Sequence, residues 1–186
     1  MKYFLGILGA ILLIIFILVI ALSGGSNNSS SKDVKKLADY ATEPATEVAF
    51  TEGGAINSEE NHRVVRITVT DSLRQVQILK GYDGQVLKDK TYSNTTSAFR
   101  AFLAGIEQVG FSRERRSKAS FESVCPETLR YRYELTSNDE EVINTWSASC
   151  DKGTFGGRTS SVRNLFEAQI PDYDDFTKNV DFSLSQ

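Results

Sequence analysis

Histidine is almost absent from this chain, whose 186 residues contain one, His62. Nucleophilic catalysis by a Ser-His-acid or Cys-His group needs an imidazole to take the proton. His62 falls where the first alternating pattern begins, and a solvated residue at the start of a strand is the simpler reading. Cysteine is nearly as scarce, with Cys125 and Cys150 alone. With one histidine they do not supply the ligand set of a zinc site, and their spacing is not the C-x-x-C of a redox pair. The glycine-rich stretch Gly153–Ser160 lacks the closing Gly-Lys-Ser/Thr of a phosphate-binding loop. It reads instead as a flexible link leading into a helix, whose first amides can hold an anion. Asp172, Asp174 and Asp175 lack the glycine and distal glutamate of an EF-hand loop and read as a helix-terminal acidic surface. A formal net charge of −3 gives no bulk attraction to nucleic acid. No catalytic residue, metal site or cofactor is expected from these counts.

What the chain does have is an uncharged apolar run from Phe4 to Leu22. At about 1.5 Å per helical residue such a run covers roughly 28 Å, close to the hydrocarbon thickness of a bilayer. The run therefore reads as a transmembrane helix contacting the lipid bilayer, with Tyr3 as an interfacial aromatic. Ala21-Leu22-Ser23 fits a signal-peptidase pattern, but cleaved signals carry shorter apolar cores of about 7–15 residues. Lys32, Lys35 and Lys36 beyond the run slightly favour a cytoplasmic domain, although long domains translocate largely regardless of charge. Residues 1–3 read as a short cytoplasmic N-terminus, 4–22 as the span, 23–61 as a flexible tether and 62–186 as an extracytoplasmic domain. The tether reading rests on Gly24–Ser31 and on the polar, Gly/Pro-punctuated stretch up to Asn61.

From His62 onward the pattern is that of an α+β domain. Val65, Ile67 and Val69 alternate with polar residues, as do Val76 and Ile78, and Asp83-Gly84 marks a hairpin to a third strand ending near Tyr92. The period then lengthens to that of a helix: Ala98, Phe99, Phe102, Leu103, Ile106 and Val109 share one side, with Asn94 or Thr95 as cap and Gly110 as stop. Leu129, Tyr131, Tyr133 and Leu135 begin a second hairpin, turned at Ser137–Glu140, with Val142, Asn144, Trp146 and Ala148 read as continuing the same face. A last helix carries Val162, Leu165, Phe166 and Ile170, with Ser160 or Ser161 as cap and Pro171 as stop. The order β-β-β-α-β-β-α implies an antiparallel sheet of about five strands packed against two helices.

The midpoint of Cys125 and Cys150 falls inside the proposed turn, which places the two side by side at the open end of the hairpin. A disulfide between them is expected there, and such a bridge belongs to an oxidising compartment. Two buried free thiols are the alternative for a cytoplasmic domain.

With no catalytic group identifiable, the chain reads as a single-pass, membrane-anchored, non-enzymatic binding or assembly module of the cell envelope. Its expected contact surfaces are the basic connector, Arg113, Arg115, Arg116 and Lys118, and the loop residues Phe155 and Arg158, suited to an envelope protein or an acidic glycan. The rival is an anchored hydrolase or transferase using carboxylates such as Glu122, Glu134 or Asp151.

Overall fold

The structure, a computed structural model, describes residues 35–122 and 124–182. The span proposed at Phe4–Leu22 lies outside the described residues, and among those described no helix is long and apolar enough to cross a membrane. One compact unit begins at Lys36. It opens with a 3₁₀ turn, Leu37–Thr42, followed by β1 (Glu47–Gly53), β2 (Arg63–Thr70), β3 (Leu73–Lys80) and β4 (Gln85–Ser93). Helix α1 (Thr96–Gln108) leads to the hairpin β5 (Arg130–Ser137) and β6 (Glu140–Ala148). The short β7 (Lys152–Gly153), α2 (Thr159–Glu167) and α3 (Tyr173–Thr177) complete it. Among the described residues the strands form one antiparallel sheet of seven in the order β4-β3-β2-β1-β5-β6-β7. The α+β class is as expected; the strand number is not.

The main correction concerns the expected tether. Residues 47–53 are not linker but the central strand, paired with β2 on one side and β5 on the other. Two features hide this strand in the sequence. On its helix-facing side Val48 and Phe50 are followed by a charged residue, Glu52, and on the other side stand Ala49, Thr51 and Gly53, small enough to read as loop. Ahead of it, Leu37 and Ala41 are buried from the 3₁₀ turn, so the domain begins well before His62.

Residues that pair directly across strands share a sheet face. One face joins Val48, Phe50, Val65, Ile67, Val69, Val76, Tyr133 and Leu135, all buried. Phe99, Phe102, Leu103 and Ile106 of α1 and Val162 and Phe166 of α2 complete that core. Phe166 lies at its centre, with ring centroids 5.5 Å from Phe50 and 5.0 Å from Phe102. Thr95 caps α1, its hydroxyl accepting from the Ala98 amide at 3.2 Å. Gly110 follows at φ +90°, where an added Cβ would come within 3.1 Å of the Gly157 backbone. By contrast Ser160 and Ser161 do not cap α2: the helix starts at Thr159 after Arg158, with no side-chain cap. The Thr159 hydroxyl is held instead by the Tyr133 hydroxyl at 2.9 Å.

The second hairpin turns through Asn138 and Asp139, both in the left-handed region at φ 52° and 62°, which suits a two-residue turn. A register shift between Leu135 and Thr136 then inserts one extra residue. That bulge inverts the expected face of β6. Ile143, Thr145 and Ser147 point into the core, while Trp146 pairs with Arg132 on the opposite face. Beyond the hairpin the expected disulfide Cys125–Cys150 is present, with Cα atoms 6.5 Å apart.

Candidate functional site

The face of the sheet away from the helix core is polar. Thr51, Arg66, Gln77 and Glu134 lie in neighbouring strands there, and Arg66 donates to Glu134 at 2.7 Å. Where β1 ends and β2 and β5 begin, this face deepens into a cleft of about 470 Å³. It is walled by residues of the 54–62 loop, by the hairpin loop 81–84, and by Phe121, Glu122 and Arg130. Each wall is fixed by the backbone. The Ile56 amide donates to the Pro126 carbonyl at 2.6 Å, and the Tyr82 hydroxyl binds both the amide and the carbonyl of Asn57. Gly81, at φ +71°, lets the Glu59 carboxylate reach the Tyr82 amide at 2.9 Å; a Cβ there would lie 2.0 Å from a Glu59 oxygen.

Two aromatic arrangements give the cleft its shape. His62 stacks on Tyr82 with centroids 4.3 Å apart, leaving Tyr82 53% exposed. Phe121 sits edge-on to Trp146 at 5.6 Å and carries two guanidinium groups over its ring, Arg132 at 4.8 Å and Arg130 at 5.5 Å. Arg130 and Arg132 alternate with Tyr131 and Tyr133 along β5, so the pleat sends both arginines to the open face and both tyrosines to the core.

Arg130 is only 7% exposed. One Nη donates to the Val124 carbonyl at 3.1 Å, and its buried Nε has no hydrogen-bond partner. Burial lowers the Arg130 pKa from the usual arginine value, with Tyr82 and Glu122 opposing that shift. An arginine so placed stays charged, and its desolvation is a standing cost that an anion in the cleft would relieve. Burial also lowers the His62 pKa, helped by the nearby Arg130 and Arg63 charges, so the ring is neutral at pH 7. Its Nδ1 lies 3.3 Å from the Ala55 carbonyl. The expectation of a solvated His62 is corrected: it is a buried wall residue.

The residues expected to make contacts lie away from this cleft, where the connector and the 153–158 loop run side by side: the Arg115 amide donates to the Thr154 carbonyl and the Gly156 amide to the Arg113 carbonyl, each at 2.7 Å. Arg115 folds back on the chain, its Nε on the Gly153 carbonyl at 3.0 Å and its Nη1 on Asp151 at 3.1 Å. Arg113, Arg116, Lys118 and Arg158 are exposed. Phe155 is no contact residue: it is 2% exposed and stacked on Tyr133 at 3.8 Å, because its backbone bridges Glu114 and turns the ring inward. The carboxylates Glu122, Glu134 and Asp151 are separated as well, at the cleft, against Arg66 and against Arg115 respectively.

A second polar group leaves no signal in the sequence. Glu52, 1% exposed, points from β1 to the helix side and meets Arg163 at 3.2 Å, which also binds Glu167 at 2.7 Å. Burial raises the Glu52 pKa and Arg163 only partly offsets it. The adjoining depression of about 580 Å³ is lined by Tyr131, Arg163 and Glu167 but not by Glu52. The triad therefore reads as the seat of α2 on the sheet. Among known proteins, no family model and no curated protein matches this chain.

Proposed function

We propose that this chain is a membrane-anchored, extracytoplasmic binding module that takes its ligand in the cleft beside Arg130 and Arg132. The observation that carries this reading is the buried Arg130 guanidinium, partly unpartnered in a walled cleft on the polar sheet face. Binding sites are typically concave, with apolar walls and a few polar groups that fix orientation, and this cleft is of that kind. The disulfide supports an oxidising compartment, and the Phe4–Leu22 run supports an anchor holding the domain outside the cytoplasm. The scattered carboxylates favour binding over hydrolysis, since acid–base work needs two groups converging on one substrate.

A photo-crosslinker at Tyr82, introduced in the full chain in native membranes, should capture a partner that the same probe at Arg116 does not. Protease added to intact cells should digest the domain. Equal capture at both positions would reject the cleft, and resistance until the membrane is opened would reject the extracytoplasmic placement.

A further inference from the structure

The chemistry of the cleft is specific enough to name a ligand class, on the assumption that the cleft is the binding site. We propose that it receives a saccharide bearing a carboxylate. Its acid group would lie between Arg130 and Arg132, and an apolar sugar face would lie on the Tyr82 ring.

Three observations lead there. First, Arg130 and Arg132 are two residues apart on one face of β5, and neither forms an ion pair among the described residues, whereas Arg66 further along that face is neutralised by Glu134 and Glu47. Their spacing and planar donors suit a carboxylate, which accepts from two guanidinium groups at once. Second, Tyr82 is held by His62 stacked on its ring and by Asn57 at its hydroxyl, and it stays 53% exposed at the cleft that Arg130 and Arg132 also line. An exposed aromatic face of this kind matches the C–H face of a pyranose, and the ligand would reach it with no ordering cost for the ring. Third, Glu122 stands at the same cleft. A carboxylate there accepts hydrogen bonds from sugar hydroxyls, while it repels a second acidic group. An oligoacidic peptide, with a charge at each residue and no hydroxyls to offer Glu122, fits less well. The neighbouring rows of the face continue the theme with Thr51 and Gln77, neutral groups suited to hydroxyls.

The expected acidic-glycan contact is thereby moved from the connector 113–118 to the β5 arginines. Arg115 is already consumed by Asp151 and Gly153, and among the described residues no cation–π contact involves Arg113, Arg116 or Lys118.

Trp146 is the single tryptophan and sits edge-on to Phe121, a cleft residue, so its fluorescence reports on the cleft through that ring. The test uses the full chain in detergent micelles, titrated with glycans carrying uronic, sialic or muramic acids, with the methyl esters of the same glycans, and with hexaglutamate. At least one acidic glycan should quench or shift Trp146 emission. Its ester should bind roughly tenfold or more weakly, as expected when a charge-assisted contact is lost. Arg132→Gln and Tyr82→Leu should each weaken binding comparably, and Arg116→Gln should not. Arg130→Gln is the sharper variant but is buried, so Arg132→Gln, on a part-exposed residue, carries the test if the former fails to fold. Equal binding of acid and ester would overturn the carboxylate assignment while leaving the cleft as a sugar site. Binding of hexaglutamate alone would overturn the saccharide while leaving an anion site. No response to any probe, with cleft-specific crosslinking intact, would overturn this inference but not the binding-module reading; loss of both would overturn the two together.

Discussion

Glu52 and Arg130 are charged residues that the fold buries, and they are buried for different ends. Glu52 is matched by Arg163, which ties α2 to the central strand; Arg130 is left partly unmatched at the edge of a cleft. Because burial raises the Glu52 pKa above its ordinary 4.5, the folded state holds that proton more tightly than the unfolded chain does. The stability it contributes is fully present below about pH 4.5 and is lost as pH rises through the raised folded value. Glu52→Gln removes the titration, so its melting temperature relative to the wild type should climb between pH 4 and pH 7. Paired thermal scans check this, and a constant difference across that range would mean that Arg163 cancels the burial penalty. In the core, Leu103 and Phe166 are fully buried. Truncating either to alanine should cost about 2–5 kcal/mol, measured by chemical denaturation.

At the scale of elements, β1 decides where the domain starts. A fragment beginning at Lys36 should fold cooperatively, while one beginning at His62 should not, since it would leave β2 and β5 facing an empty central position. Circular dichroism and thermal melting of the two fragments distinguish these outcomes, and a folded His62 fragment would show β1 to be dispensable. Hairpins and α1 were legible in the sequence because alternation and the 3.6-residue period are local signals. β1 was not, because its inward face ends in a glutamate that only a distant arginine explains. Alternation alone places Trp146 on the wrong face, because a one-residue bulge leaves no mark in the pattern. The same locality governs the site. The alternation of Arg130 and Arg132 with tyrosines was visible, but Tyr82, Phe121 and His62 come from separate loops that only the sheet order brings together.

For the molecule as a whole, the disulfide is the feature most tied to its surroundings. It joins the loop before β5 to the loop after β6, with 25 residues of sequence separation. On the loop-entropy view, closing a loop of that length contributes roughly 3–4 kcal/mol. Cys150→Ser should lower stability by that order in chemical denaturation. Non-reducing peptide maps of protein from native membranes should recover the two cysteine peptides joined. Freely alkylated thiols there would remove the strongest support for an extracytoplasmic domain.

The first strand among the described residues occupies the middle of the sheet, and this has a mechanical side. If the domain is held by its N-terminal end while its ligand belongs to another structure, tension enters through the 3₁₀ turn and then β1. That strand has a neighbour on each side, with seven paired positions to β2 and seven to β5. A pull along it loads both ladders in shear, so many hydrogen bonds must give way together, whereas an edge strand could be peeled off one pair at a time. Forced unfolding is governed by the barrier and not by equilibrium stability. A domain of modest thermodynamic stability wired in this way can therefore bear load at its point of attachment.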